Sequence, residues 1–86
     1  MAYLLAIDGS KSILPDADLK TLQTAVGGHI EVLTLSDGRT MVLNEEGKIN
    51  NLPWNNKATT MTRNIGLAED DYIAGNVVIC EPGELK

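Results

Sequence analysis

The sequence predicts a small α+β fold, an antiparallel sheet built on a central hairpin with one main helix packed on it. Three observations carry this. Two β-rich runs flank Asp37-Gly38, the strongest short-range hairpin signal. Leu19, Leu22 and Val26 recur at helical spacing and are followed by a Gly27-Gly28 stop. Apolar runs over 2–7 and 72–80 supply further strand material.

Taken in chain order, AYLLAI (2–7) reads as a buried strand that ends at the Asp8-Gly9-Ser10 turn. Residues 11–15 read as a connector closed by Pro15. Asp16 is suited to cap a helix, and Asp18 places a carboxylate in its first turn, so the main helix is expected over about 17–26. The hairpin then spans about 29–44. With Asp37 and Gly38 as the two loop residues of a type I′ turn, Ser36 faces Arg39, Leu33 meets Val42, Val32 meets Leu43 and Glu31 meets Asn44. Ile30, Val32 and Thr34 then share a face with Met41 and Leu43. Glu31, Leu33 and Leu35 share the other with Thr40, Val42 and Asn44. Both faces carry apolar side chains, so both need a cover: the 17–26 helix on one, and the 57–65 segment or a second subunit on the other.

Glu45-Glu46-Gly47-Lys48 fits a second tight turn with glycine in the left-handed position, after which Ile49 to Leu52 would pair back as a short strand stopped by Pro53. Asn55 or Asn56 can cap a second short helix over about 56–65, with Ala58, Met61 and Ile65 on one side and Gly66 as its stop. Thr59, Thr60 and Thr62 lower helix propensity, so a loop with one helical turn competes. Residues 72–80 close the chain as a strand with a bulge or bend at Gly75, and 81–86 form a polar tail expected to fray.

Eighty-six residues fit a single domain, 1–86, and a chain of this size buries only about 60–65% of its unfolded surface. Phe is missing, and Trp54, Tyr3 and Tyr72 are the only aromatics, so the core is thin and a homo-oligomer would add buried area. The net charge of −5, with seven scattered basic residues, argues against binding a nucleic-acid backbone. It also falls short of a DNA mimic, because the sole acidic run is Glu69-Asp70-Asp71. The single cysteine, Cys80, excludes an internal disulfide and sits in an apolar run, as a small buried hydrophobe in a reducing compartment would. Residues 1–7 lack the basic region of a signal peptide, and no stretch is long and apolar enough to span a membrane. The expectation is a soluble cytoplasmic protein without membrane contact.

No catalytic or cofactor motif emerges. Gly27-Gly28 follows a helix instead of opening one, so it caps and does not cradle phosphate. One His and one Cys do not build a zinc site, and nothing brings His29 to Cys80. Asp8-Gly9-Ser10-Lys11 lacks the further ligands of a calcium loop, and Glu45 and Glu46, adjacent in sequence, diverge. The chain therefore reads as a non-enzyme with neither cofactor nor metal. What remains is an amide-rich group, Asn44, Asn50, Asn51, Asn55 and Asn56, with Glu31, Lys48, Thr59 and Trp54. Asparagine both donates and accepts, which suits recognition of amides, bases or exposed backbone, but it is also a default turn and cap residue. Trp54 after Pro53 is either a core anchor or an exposed contact, and an exposed Trp marks an interface.

Several segments in series also resemble a known family. They are Leu22-Gln23, Val26-Gly27-Gly28, Ile30-Glu31, Asp37-Gly38, Asn44 to Lys48, Leu52-Pro53, Asn55, Ala58-Thr59, Ile73, Gly75 and Val77. From about Leu22 to Ile79 the chain is similar to the small domain of unknown function catalogued under number 3846, carried by bacteriophages, plasmids and bacterial genomes. It departs from the pattern at Trp54-Asn55-Asn56-Lys57, where relatives vary. The resemblance implies a phage or mobile-element setting in a bacterial cytoplasm. Joined to the motif-poor chemistry, it implies an accessory protein that binds a host protein stoichiometrically, for example an inhibitor of a defence system or host enzyme. The expected contacts are Glu31, Asn44, Glu45, Lys48, Trp54, Asn55 and Asn56. The alternative is an oligomeric module that sequesters a small nucleotide signal, for which Arg39, Lys48, Lys57 or Arg63 would supply the cations.

Overall fold

A computed structural model of the chain describes residues 1–63 and 71–85. It contains five strands, β1 (Tyr3–Leu5), β2 (Lys11–Ile13), β3 (Ile30–Thr34), β4 (Thr40–Asn44) and β5 (Val77–Cys80), with two helices, α1 (Leu19–Val26) and α2 (Asn56–Met61). The strands form one antiparallel sheet in the order β2-β1-β5-β4-β3. The α+β class stands. The hairpin, however, lies at one end of the sheet with β3 at its edge, and β5 takes the centre.

All four residues of β5 are buried, which is why Val77 to Cys80 is a continuous apolar run and not an alternating one. Val77 and Ile79 join Leu5, Leu35, Met41, Leu43, Ala58 and Ile73 in one core layer, the layer that holds α2. Val78 and Cys80 join Ala2, Leu22, Val26 and Val42 in the other, beneath α1. The sheet is thus covered on both faces by its own chain, and α2 supplies the second cover.

The hairpin register differs by one residue from the expected one. Ile30 pairs with Asn44, Glu31 with Leu43, Val32 with Val42 and Leu33 with Met41. A type I′ turn needs φ > 0 at both loop residues; here Gly38 has φ 89° and Asp37 does not enter that region. Asp37 instead accepts the Arg39 backbone N–H at 3.0 Å, while Leu35 exchanges bonds with Gly38 and Arg39, giving a three-residue loop. A one-residue slip exchanges the partner faces. Leu33 therefore lies with Met41 and Leu43 towards α2, and Ile30 and Val42 lie towards α1.

Other expectations are corrected in detail. Residues 11–13 are a strand, not a connector; Lys11, Ser12 and Ile13 are all exposed on a sheet edge, where no burial pattern marks a strand. Helix α1 begins at Leu19, with Asp18 at the cap position and Asp16 accepting the Asp18 N–H at 3.0 Å. Its end is as expected, with Gly27 left-handed at φ 83°. Residues 49–52 do not form a strand: Glu46, Lys48 and Gly47 carbonyls accept the N–H groups of Asn50, Asn51 and Leu52, and Asn51, not Gly47, is left-handed. Gly47 is instead needed for close approach, since a Cβ there would lie 3.1 Å from the Ala74 carbonyl oxygen. Helix α2 stops at Met61; the outer part of its expected span, Asn64 and Ile65, lies outside the described residues. In the tail, Glu84 accepts the N–H groups of Ala2 (2.8 Å) and Glu81 (3.0 Å), and Leu85 packs on the α1 layer.

Candidate functional site

The turn after β4 and the chain leading into β5 run side by side and form the walls of a cleft of about 320 Å³. Segment 53–55 is stitched to 73–75: Trp54 bridges Ala74, Gly75 N–H donates to Pro53 at 2.7 Å and Asn55 N–H to Ile73 at 2.8 Å. This brings Trp54 onto Tyr72 as a parallel stack, centroids 4.5 Å apart and planes 13° from parallel. Lys48 Nζ sits 5.0 Å from the centre of the Tyr72 ring and is paired with Asp71. The result is a row of Trp54, Tyr72, Lys48 and Asp71 in which Tyr72 and Asp71 line the cleft from one wall, Lys48 reaches them from the other, and Trp54 adjoins through Tyr72.

Trp54 keeps 57% of its surface exposed, so it is not a core anchor. The stack is worth roughly 0.5–1.5 kcal/mol beyond burial and holds the indole in one orientation. The Lys48–Asp71 pair is half-exposed and contributes only about 0–1 kcal/mol. Its role is to fix charge positions. Glu31 and Glu45 line the same cleft above a floor of Leu33, Leu43, Ile73 and Ala74, and Ile49, 77% exposed, stands at its mouth.

The seven residues expected as contacts divide three ways. Glu31, Glu45, Lys48 and Asn44 line this cleft, and Trp54 adjoins it through Tyr72. Glu31 and Asn44 are not opposite each other, a consequence of the register. Asn44 is buried, with its amide donating to Val26 at 3.1 Å and accepting the Glu46 N–H at 2.8 Å, so its polar atoms serve the fold. Asn55 is fully buried: its Oδ1 caps α2 through Ala58 N–H, and its Nδ2 donates to Leu5 and Gly75. It belongs to a satisfied network with Thr59 and Thr62, both buried, in which Thr59 also accepts the Ile73 N–H. Asn56 is exposed and lines a separate groove across α2. Sequence reasoning missed Tyr72 and Asp71; the scarcity of aromatics was the one available signal.

Cys80 is fully buried, and burial pushes its thiol pKa up, the reverse of what a nucleophile needs. Among the described residues, no three His, Cys, Asp or Glu side chains gather as a metal site, and no helix is long and apolar enough to cross a membrane. The family model described as "Domain of unknown function (DUF3846)" matches residues 1–85. No curated protein and no solved structure matches the chain.

Proposed function

We propose that this chain, which belongs to the DUF3846 family of unknown function, is a small non-enzymatic phage or mobile-element accessory protein that binds a host protein stoichiometrically through the Trp54–Tyr72 wall. The observation that carries this reading is Trp54 itself, more than half exposed yet stacked on Tyr72. An aromatic that loses little conformational freedom on docking is the typical energetic anchor of a protein interface. Ile49 extends the apolar contact, and Glu31, Glu45 and the Lys48–Asp71 pair form a polar rim. Glu31 and Glu45, which make no ion pair among the described residues, and the net charge of −5 favour a partner surface rich in Arg and Lys, and guanidinium groups also pack on indole faces. A bacterial host, acting as an inhibitor's target, is the setting the family resemblance suggests.

Affinity capture from host lysate with the intact chain tests this, run in parallel with Trp54→Ala and Glu31→Ala/Glu45→Ala. One host protein recovered in near-equal amount by the wild type, and lost with Trp54→Ala while the fold persists by circular dichroism, is the expected result. Undiminished recovery by Trp54→Ala removes the cleft from the interface.

A further inference from the structure

Across the sheet's α2 face lies a second groove, of about 440 Å³, that collects charge of the opposite sign. Its rim carries Lys11, Arg39 and Lys57, three of the seven basic residues of an otherwise acidic chain. They come from an edge strand, the β3–β4 turn and a helix, so only the tertiary fold assembles them. No carboxylate lines the groove among the described residues. Between the cations lie Tyr3, Leu5 and Met61, and Asn56 and Thr60 offer polar groups along α2.

Each cation is positioned without being buried or fully neutralised. The Lys57 stem lies on the β1–β2 turn, and its Nζ reaches the Gly9 carbonyl only at 3.5 Å. Lys11 Nζ stands 5.3 Å over the Tyr3 ring. Arg39 donates from Nε to Asp37 at 2.7 Å and lies beside Tyr3 on the groove rim. Asp37 first, then Tyr3, hold that guanidinium charged. Among the described residues neither lysine has a carboxylate within ion-pair distance.

We infer that this groove is a binding site for a nucleoside monophosphate, with the phosphate held among Lys11, Arg39 and Lys57 and the base laid against Tyr3 and Met61, which are partly exposed above the buried Leu5. Arginine and lysine are the usual phosphate partners, and an aromatic and apolar floor accepts a base of any sequence through its π face. The groove's size falls in the range of small-ligand sites, and apolar lining with a few placed polar groups is their common composition. A long polyanion is disfavoured, because the surface beyond the groove carries the negative charge. The site is distinct from the Trp54 wall, so either reading can fail without the other.

The test is a titration of the intact chain with AMP, followed by backbone amide NMR, with adenosine and inorganic phosphate as separate probes. Saturable shifts at Tyr3, Lys11, Arg39, Lys57 and Thr60 are expected with AMP, weakening as salt is raised. Adenosine or phosphate alone should bind about tenfold or more weakly. The Lys11→Glu/Lys57→Glu variant, changed at two exposed positions, should lose about tenfold or more in AMP affinity with its spectrum otherwise intact, whereas Trp54→Ala should bind AMP as the wild type does. Absence of saturable shifts with AMP overturns the inference, as do shifts confined to other surfaces or undiminished binding by the double variant. Phosphate binding as tightly as AMP overturns the assignment of the floor to a base.

Discussion

The side-chain amide of Asn44 donates to the Val26 carbonyl oxygen at 3.1 Å, tying the last residue of β4 to the last turn of α1. The same side chain accepts the Glu46 N–H, so one buried residue secures a helix end and the start of the following turn. Gly28 makes the approach possible, because a Cβ there would meet Asn44 Nδ2 at 3.0 Å. The polar character of Asn44 is therefore explained by the fold before any ligand is invoked.

Asn44→Ala is expected to destabilise by about 1–3 kcal/mol, the cost of leaving buried partners unpaired. Asn44→Asp keeps the acceptor for Glu46 but turns a carboxylate towards a helix C-terminal carbonyl, so at neutral pH it should cost at least as much. Urea midpoints of the three proteins check the order, and an unchanged midpoint for Asn44→Ala would show the tie contributes nothing.

Asn55 and Asn56, adjacent and alike in sequence, should respond differently. Asn55→Ala removes a helix cap, about 1 kcal/mol, and strips the donor from two buried carbonyls, so a loss of about 3 kcal/mol or more is expected. That is a large part of the stability of a small domain. Asn56→Ala, at an exposed site, should stay within about 0.5 kcal/mol. Thermal melts of the pair suffice.

Acid should loosen the join between the chain's two ends. Bonds from Glu81 and Ala2 N–H hold the Glu84 carboxyl below its ordinary value of 4.5, and turn bonds from Ser10 and Arg39 likewise lower Asp8 and Asp37. A carboxyl with a depressed folded pKa contributes stability that is present above its unfolded pKa and lost as pH falls through the folded one. Stability should therefore decline from about pH 4.5 downwards, and Glu84→Gln should flatten part of that slope. A slope unaltered in the variant would mean Glu84 is not linked to folding.

Cys80 offers the opposite case. Burial raises its thiol pKa above 9.0, so the folded protein holds the proton longer than the unfolded chain does. Stability should fall as pH rises through the unfolded value, and iodoacetamide should label Cys80 only as fast as the protein opens. Rapid labelling under native conditions would contradict its burial.

Much of the fold was legible. The apolar stripe of α1 and its glycine stop, the hairpin around Asp37-Gly38, an asparagine cap at 55 or 56 (Asn55 in the structure) and the burial of Cys80 are all local signals, and all appear. β2 was hidden because an exposed edge strand carries no burial pattern. The site was legible in part: Glu31, Glu45 and Lys48 do converge, yet Tyr72, the platform under Trp54, lies 18 residues further on and could not be paired with it by spacing.

The sequence by itself determined which segments turn, cap and bury, because these depend on φ preferences, short-range bonds and hydrophobic period. Tertiary structure decided the rest. The hairpin register stands between the two: a local three-residue loop, in which the Arg39 N–H bonds to Asp37, takes Glu31 away from its place opposite Asn44. Long-range pairing put β5 at the centre of the sheet. It also sorted five similar asparagines into buried ties and exposed positions, and gathered Lys11, Arg39 and Lys57 around one groove. The sheet order, the sorting of the asparagines and the charged groove do not follow from local preference, since each depends on which distant backbone atom or charge a side chain meets.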